Sequence, residues 1–457
     1  LFFTEMWERF SFYGMKALLF LYLTKYHLFT DDNGYLLLGT YAGLAYALPL
    51  LGGALADRWL GMRKAVVFGG LLLVIGQLGM AYIGTPAQGI AGQATQDAFA
   101  IQVMYASLAL IAVGVGFLKP NISTIVGRLY ADNDPRRDSG FTIFYMGINV
   151  GGALGPIICG LVGDTGNPED FKWAFLAGGI AMLISVVVQL VFHKKYVLDP
   201  DKNILGLTPA NAPTAWTRPL NIIAGLTLLA AVMITALYID TRVVDYLTYV
   251  LIASPILIGS IIFSDKTLSK IEKQRVAVIF SVSFFVVFFW SAFEQAGASL
   301  TFFASENTQR DLGFYVVPTS FFQSLNSIFV VTLAPLVAWI WIKLGKANRE
   351  PSSPFKMAMG LMLLALGYLW IATGVNGVGT GVKVSMIWLI GMYMMHTFGE
   401  LCLSPIGLSL FNKLAPLKFA SLLMAVWFTA NAFANKLAGV FSTLYPENGQ
   451  TTSFAGY

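Results

Sequence analysis

The stretch that decides the fold lies at the start of the chain: Glu5-Met6-Trp7-Glu8-Arg9-Phe10-Ser11-Phe12-Tyr13-Gly14, with Lys16 following closely. It opens an apolar run long enough to lie inside a bilayer, yet it carries two carboxylates, a guanidinium and an ammonium. Each charge near the middle of a membrane costs at least ~2.5–3.5 kcal/mol. On a helix, Glu5, Glu8 and Arg9 project from one face. That face can hold a proton or a salt bridge, and a buried structural ion network is the alternative.

The composition around this stretch is that of a membrane protein. Of the 457 residues, 56% are hydrophobic and only 12% are charged, whereas a soluble domain has about 25% charged residues. The apolar residues form runs of about 18 or more, which are long enough to cross a bilayer as helices. Continuous runs such as 276–293 exclude a β-barrel, whose strands alternate in polarity. We therefore predict an all-α polytopic membrane protein.

Cysteine and histidine usage excludes two other classes of site. Cys159 and Cys402 lie far apart in apolar segments, so they are interpreted as buried apolar side chains and not as a disulfide framework. The histidines are scattered and have no metal-ligand spacing. We expect no metal site and no cofactor. The net charge of +5 does not require nucleic acid, because membrane proteins concentrate Lys and Arg in cytoplasmic loops.

The apolar segments define the expected spans. They are 1–23, 35–56, 65–83, 98–118, 141–162, 173–191, 220–239, 246–263, 276–303, 321–342, 357–373, 384–411 and 419–441. Lys and Arg concentrate in alternate loops, beginning with Arg58, Arg63 and Lys64. The positive-inside rule places those loops, and the N-terminus, in the cytoplasm. Lys119 is an exception, because it lies at the end of the span 98–118 and not in one of these loops.

Four motifs resemble those of one transporter family. The first span has the pattern E-x-x-E-R-F-x-x-Y-G. Residues 53–64 match the loop motif G-x-L-A-D-R-x-x-G-x-R-K, residues 117–121 are F-L-K-P-N, and residues 144–151 match F-Y-x-x-I-N-x-G. Together they resemble the proton-coupled oligopeptide transporters (POT/PTR), bacterial type, a branch of the major facilitator superfamily. The resemblance covers essentially the whole chain.

The resemblance implies a fold of two six-helix bundles with two inserted helices. We expect an N-terminal bundle in 1–195, the inserted pair in 218–264 and a C-terminal bundle in 275–457, from which the last core helix is apparently absent. An internal repeat agrees with two related halves: Tyr145 and Asn149 in one span have the same spacing as Trp427 and Asn431 in another. Such repeats are common in secondary transporters.

Several polar residues in the apolar spans are candidates for chemistry. The amide of Asn149 can donate to a peptide carbonyl and accept from its N–H. Glu400 is the sole acid of its span and lies one turn from Ser404, in a helix that we expect Pro405 to break. Independently of any family, the cations Arg9, Lys16 and Lys119 lie in the N-terminal half and the anions Glu294 and Glu400 in the C-terminal half. A zwitterion could bridge them.

The resemblance assigns roles to these residues. Proton coupling is expected at Glu5, Glu8, Arg9 and Lys119. Lys16 would pair with Glu294 as an outer gate. Charge, and not the resemblance, predicts that Lys119 pairs with Glu400 as an inner gate, because an unpaired carboxylate is costly in a low-dielectric cavity. The acid Glu400 would anchor the substrate amine. The expected substrate-binding residues are Arg9, Tyr13, Lys16, Tyr46, Lys119, Tyr145, Asn149, Trp290, Phe293, Asn326, Glu400, Ser404 and Trp427.

The implied function is symport of di- and tripeptides with protons into the cell, by alternating access, in the inner membrane. The proton gradient would drive it, with a monomer as the expected state and an oligomer as the alternative. A nitrate-like anion carrier or another small-solute carrier on the same scaffold is the alternative within the class. A membrane-embedded enzyme would need a clustered nucleophile or metal set at one membrane face, and none is visible in the sequence. A channel would need a filter repeat or a ring of charges.

Overall fold

The computed structural model is a helical protein in which most of the expected spans within the described residues coincide with a single helix. It describes residues 1–208, 241–378, 382–416 and 419–445, except 132, 133 and 135. The first six helices are α1 (Phe2–Leu21), α2 (Asp31–Leu55), α3 (Met62–Met80), α4 (Ala98–Arg128), α5 (Arg136–Gly163) and α6 (Phe171–Tyr196). Single π-helical turns continue α1 at Tyr22–Tyr26 and α2 at Ala56–Leu60.

The remaining helices begin after the expected span 220–239, which lies outside the described residues. They are α7 (Thr241–Ser264), α8 (Lys270–Phe293), α9 (Ser299–Glu306), α10 (Phe321–Lys346), α11 (Ser353–Val375), α12 (Ile387–Leu414) and α13 (Ala420–Ser442). Strands β1 (Thr308–Gln309) and β2 (Val384–Ser385) pair in parallel. In the part of the chain described, eight helices are long and apolar enough to cross a membrane.

Two expectations about helix continuity are wrong. The expected span 276–303 is interrupted, because α8 ends at Phe293 and a 3-10 turn, Glu294–Gly297, separates it from α9. Conversely, α12 runs unbroken through Pro405, which was expected to break it. Helix α4 likewise contains a proline, Pro120. A proline removes one backbone donor, but membrane helices tolerate it where other groups bind the freed carbonyls.

The chain divides into two compact units. One comprises Leu1–Thr30 and Leu44–Tyr246, and the other comprises Asp31–Gly43 and Leu247–Tyr457. Helix α2 is thus shared between them. In the second unit, Gly39 of α2 lies so close to α13 that an added Cβ would be 2.9 Å from Cα of Gly439.

In the first unit, glycines bring α5 against α1 at the charged stretch. A Cβ on Gly151 would lie 2.1 Å from the carbonyl oxygen of Met6 and 3.0 Å from Cβ of Arg9. One turn further, a Cβ on Gly155 would lie 2.4 Å from the carbonyl oxygen of Phe10. Such spacing of small residues lets two helix backbones approach closely. The contact fixes the height of α1, and therefore of its charges, against α5.

Candidate functional site: two sets of buried charges

Arg9 is the centre of the charged cluster in the first unit. Its Nη2 donates to Oε1 of Glu8 at 2.6 Å, and its Nε donates to the other oxygen of Glu8. The same Nε lies 3.3 Å from Oε1 of Glu5. All three side chains are buried, with exposed fractions of 1% for Glu5, 0% for Glu8 and 2% for Arg9. One guanidinium therefore serves two carboxylates away from water.

The charge of this cluster is shared unequally. Oε2 of Glu5 is buried and has no hydrogen-bond partner among the described residues. Glu8, by contrast, accepts hydrogen bonds from Arg9 through both oxygens, a bidentate arrangement that fixes the relative orientation of the two side chains. The guanidinium also lies 5.2 Å from the ring centroid of Phe12 and 5.7 Å from that of Tyr13. Glu5 is the carboxylate that lacks a complete set of partners.

Lys119 is the second cation of this unit near the cluster. Its ammonium lies 4.7 Å from the ring centroid of Tyr46, a distance at which the ring attracts a cation, and it interacts electrostatically with Glu5. The next residue but one, Asn121, donates from Nδ2 to the carbonyl oxygen of Phe117 at 2.7 Å. That bond occupies one of the backbone oxygens around Pro120. Lys16 lies buried on α1, with an exposed fraction of 7%.

In the second unit, Asn326 of α10 binds Glu400 of α12. Its Nδ2 lies 2.8 Å from Oε2 of Glu400 and 3.2 Å from Oγ1 of Thr397. Thr397 in turn donates to the carbonyl oxygen of Tyr393 at 2.8 Å. One turn beyond Glu400, the hydroxyl of Ser404 is buried without a partner among the described residues. The carboxylate and this hydroxyl are two acceptors that suit an ammonium group.

The other candidate site residues of the second unit lie around the helix break that follows α8. Phe293 ends α8 and stacks on Phe289 with ring centroids 5.7 Å apart, and Trp290 contacts it edge-on at 5.2 Å. Glu294 begins the 3-10 turn and interacts electrostatically with Glu400. The indole N–H of Trp290 has no partner among the residues described. Both aromatic rings are half-buried.

The comparisons with known proteins decide the family. A family model described as the POT family matches residues 63–454. The chain belongs to the POT family. This is a family of transporters and not of enzymes, and the chain is a multi-pass membrane protein.

Individual POT family relatives cover nearly the whole chain. The uncharacterized transporter YclF of Bacillus subtilis is 37% identical over 99% of this chain and 89% of its own length. A di-/tripeptide transporter of Lactococcus lactis subsp. cremoris is 31% identical over 100% of this chain and 90% of its own. A solved structure, the crystal structure of a POT family transporter in complex with a thioalcohol-conjugated peptide, is also similar. It is 31% identical in sequence, has a TM-score of 0.82, and the match covers 97% of this chain and 89% of that chain.

The structure brings some of the sequence-predicted site residues together within each unit. Glu5, Glu8, Arg9, Tyr13 and their neighbours lie around one cluster, and Asn326, Glu400 and Ser404 around another. Tyr145 is substantially exposed and Asn149 is buried, with its amide donating to the carbonyl oxygen of Tyr145 at 3.0 Å. The pairings Lys16–Glu294 and Lys119–Glu400 stay predictions. Among the described residues, no group of three or more His, Cys, Asp or Glu could hold a metal ion.

Trp427 is buried, and its place among the substrate-binding residues stays a prediction. Its side chain is 5% exposed and packs in the core of the second unit against Phe411, with ring centroids 5.0 Å apart. A Cβ on Gly407 would lie 2.6 Å from its ring. The spacing of Trp427 and Asn431 sets their relative direction on α13, but it does not say which neighbouring helix fills the space beyond the indole.

Sequence reasoning missed the residues that hold the side chains of the candidate site in place. Gln295, next to Glu294, donates to the carbonyl oxygen of Ala438 at 2.9 Å and accepts from the hydroxyls of Ser299 and Ser442 at 2.6 Å each. Thr397 was also missed. Its signal was available, because it lies one turn before Glu400 on the same helix. Gln295 gave no such signal, since its partners Ala438 and Ser442 lie on a distant helix.

Proposed function

We propose that this chain carries di- and tripeptides into the cell together with protons, by alternating access. The observation that carries the proposal is the cluster of Arg9 with Glu5 and Glu8. Two buried carboxylates share one guanidinium, and one oxygen of Glu5 has no hydrogen-bond partner among the described residues. A proton on Glu5 would remove the excess negative charge of these three side chains and give that carboxyl a donor.

The substrate class follows from the charges that each unit offers. The first unit has buried or half-buried cations at Arg9, Lys16 and Lys119, which suit a peptide carboxylate. The second has Glu400 with the hydroxyl of Ser404, which suits a peptide amine. Support comes from the Lactococcus relative, named as a di-/tripeptide transporter, and from the related structure with a conjugated peptide bound.

The aromatic and amide candidates would take the rest of the peptide. Tyr13, Tyr46, Tyr145, Trp290 and Phe293 offer apolar and stacking contacts, which tolerate side chains of different shapes. Asn149 and Asn326 would bind the peptide backbone or order the residues that do. In this proposal the proton gradient alone drives transport, the protein lies in the inner membrane as a monomer, and its N-terminus faces the cytoplasm.

The test is uptake by the purified protein in liposomes with an acidic exterior. A labelled dipeptide should accumulate above its external concentration, and dissipating the proton gradient with an uncoupler should abolish the accumulation. A single amino acid and nitrate, supplied at the same concentration, serve as controls and should not accumulate. Accumulation of nitrate without the dipeptide would replace the proposal by an anion carrier. Dipeptide uptake that ignores the uncoupler would remove proton coupling.

A further inference from the structure

A buried chain of hydrogen bonds begins beside the charged cluster of the first unit. Thr4 directly precedes Glu5 on α1, and its hydroxyl donates to Oε1 of Gln189 on α6 at 3.3 Å. The hydroxyl of Ser185, one turn earlier on α6, donates to the carbonyl oxygen of Thr4 at 2.7 Å. Thr4, Ser185 and Gln189 are all at most 3% exposed. Helix α6 therefore holds both the side chain and the backbone of Thr4.

The chain continues from Gln189 to His193 in one direction. Because Oε1 of Gln189 accepts from Thr4, its Nε2 faces Nδ1 of His193, at 2.8 Å. Nε2 of Gln189 can only donate, so Nδ1 of His193 is the acceptor and the ring hydrogen lies on Nε2. That nitrogen donates to the carbonyl oxygen of Leu205 at 3.0 Å. The imidazole is thus neutral in one defined tautomer.

The loop after α6, in which this series of hydrogen bonds ends at Leu205, also holds the start of α3. The carbonyl oxygen of Gly206 accepts from the backbone N–H of Arg63 at 2.9 Å. The hydroxyl of Thr208 donates to the carbonyl oxygen of Leu60 at 3.1 Å. Leu60 and Arg63 lie in the loop motif of residues 53–64. The hydrogen bonds therefore connect the helix of the charged cluster with this motif, inside a single unit.

We propose that Gln189 and His193 are positioning residues of the proton site, acting through Thr4 on Glu5. This rests on the proposed function. A buried amide and a buried imidazole cost free energy unless each polar atom is satisfied, and an apolar residue would fill either position without that cost. What the pair adds is a fixed height and rotation of α1. The position of Glu5 depends on that of α1, because no hydrogen bond from the described residues holds its Oε2 in place.

The property that should respond is the pH dependence of coupled transport. The charged side chains acting on Glu5 are Arg9 and Glu8 on α1 and Lys119 on α4. A shift of α1 changes the distance from Glu5 to Lys119, and with it the proton affinity of the site. Exchange of labelled for unlabelled peptide needs no net proton movement, so it should respond much less.

The test compares four variants in liposomes. Gln189→Leu and His193→Phe remove the chain while keeping the approximate size, and His193→Gln retains one acceptor and one donor. Gln77→Leu is the matched control, because Gln77 is another buried amide that donates to α1, at the carbonyl oxygen of Ser11, away from this chain. Gradient-driven uptake is measured across external pH, and counterflow is measured with equal pH on both sides.

The expected result separates the two transport modes. For Gln189→Leu and His193→Phe, the pH of half-maximal uptake should move by about one unit, equivalent to a tenfold change in proton affinity, while counterflow stays within about twofold of wild type. His193→Gln should restore the wild-type profile, and Gln77→Leu should keep it. Equal losses in both modes with an unmoved pH profile, or a failure of His193→Gln to rescue, would overturn the proposal.

A spectroscopic measurement tests the hydrogen bonds of Gln189 and His193 even in a variant with low transport activity. The protein has only three histidines, so nitrogen NMR on histidine-labelled protein can resolve them, and loss of one signal in His193→Gln assigns His193. The wild type should show the Nε2–H tautomer, and Gln189→Leu should lose that preference. An Nδ1–H tautomer in the wild type would overturn the proposal. If the wild type never accumulates peptide, the proposed function fails and the claim about pH falls with it, while the tautomer still tests the hydrogen bonds.

Discussion

The amide of Asn326 donates to the carboxylate of Glu400 across two helices of the second unit, with Nδ2 and Oε2 2.8 Å apart. The same amide lies within hydrogen-bond distance of the hydroxyl of Thr397. In this contact the carboxylate of Glu400 is therefore oriented by a neutral amide donor and not by a cation. Its electrostatic neighbour in the unit is Glu294, which is another acid. A carboxylate placed between an amide and an acid is ready to receive an ammonium group.

We therefore predict that Glu400→Gln weakens binding of free-amine dipeptides by about 2–3 kcal/mol, the range for losing a hydrogen bond to a charged group. The same peptides with an acetylated N-terminus should lose far less, because they offer no ammonium. Competition against a labelled dipeptide measures both. If blocked and free peptides lose affinity equally, Glu400 acts as a gate and the amine binds elsewhere.

The second prediction concerns proton coupling at Glu8, which holds Arg9 through both carboxylate oxygens. Glu8→Gln should abolish gradient-driven accumulation of a dipeptide while counterflow exchange stays measurable, because exchange moves no net proton. Glu272→Gln is the control, since Glu272 is a partly exposed acid in the capping box of α8 and its replacement should leave both modes unchanged. Normal accumulation by Glu8→Gln would show that proton coupling does not depend on the contact between Glu8 and Arg9.

The third prediction concerns the approach of α5 to α1. Gly151→Ala introduces a Cβ that would lie 2.1 Å from the carbonyl oxygen of Met6, so the helices must separate at the charged cluster. Overpacking of this kind costs about 1–3 kcal/mol, and we expect a lower Tm together with reduced uptake. Gly259→Ala on α7 is the matched control, because its nearest contact would be an ordinary 3.4 Å to the ring of Phe280. Equal Tm values for the two variants would contradict the prediction.

The fourth prediction concerns His27, which lies just after the π-helical turn that follows α1. Its ring is fully buried between Tyr22 and Tyr26, and neither ring nitrogen has a partner among the described residues. Burial lowers the pKa of His27 to about 4, against a smaller opposing effect of Asp97. The folded state therefore prefers the neutral ring, whereas the unfolded chain gains a proton near pH 6.5.

The sign of the pH effect follows from linkage. The stability due to neutral His27 is fully present above about pH 6.5 and is lost as the pH falls toward about 4, by at most about 3 kcal/mol. The Tm of the wild type should drop over this interval more steeply than the Tm of His27→Phe. Thermal unfolding at several pH values measures the two slopes. Parallel slopes would show that His27 does not contribute.

The features that could be predicted from the sequence are those set by spacing within one helix. Glu5, Glu8 and Arg9 share a face because they are three and four residues apart, and the structure joins them through Arg9. The repeat of Asn149 and Asn431 is visible in the same way. Each amide donates to the carbonyl oxygen of the aromatic residue one turn earlier, at 3.0 Å and 2.9 Å. Local geometry alone produces these contacts.

The features that could not be predicted depend on partners far away in the chain. The break after Phe293 is held by Gln295, whose carbonyl partner Ala438 lies on α13. Thr4 and Gln189 are separated by 185 positions, and neither residue belongs to a family motif quoted above. Pro405 is the opposite case. A proline signals a local break, but the surrounding helices decide whether the break occurs.

The buried charges of α1 have a consequence for how the protein is made. Helix α1 is fully described, and it is not among the segments apolar enough to cross a membrane by composition alone. During synthesis α1 meets lipid or the insertion channel before the neighbouring helices exist, at ~2.5–3.5 kcal/mol for each centrally placed charge that is not paired within α1. The glycines of α5 and the hydroxyl and amide groups of α6 emerge from the ribosome more than a hundred residues later. We therefore expect α1 to gain much of its stability in the bilayer only when these later helices pack against it.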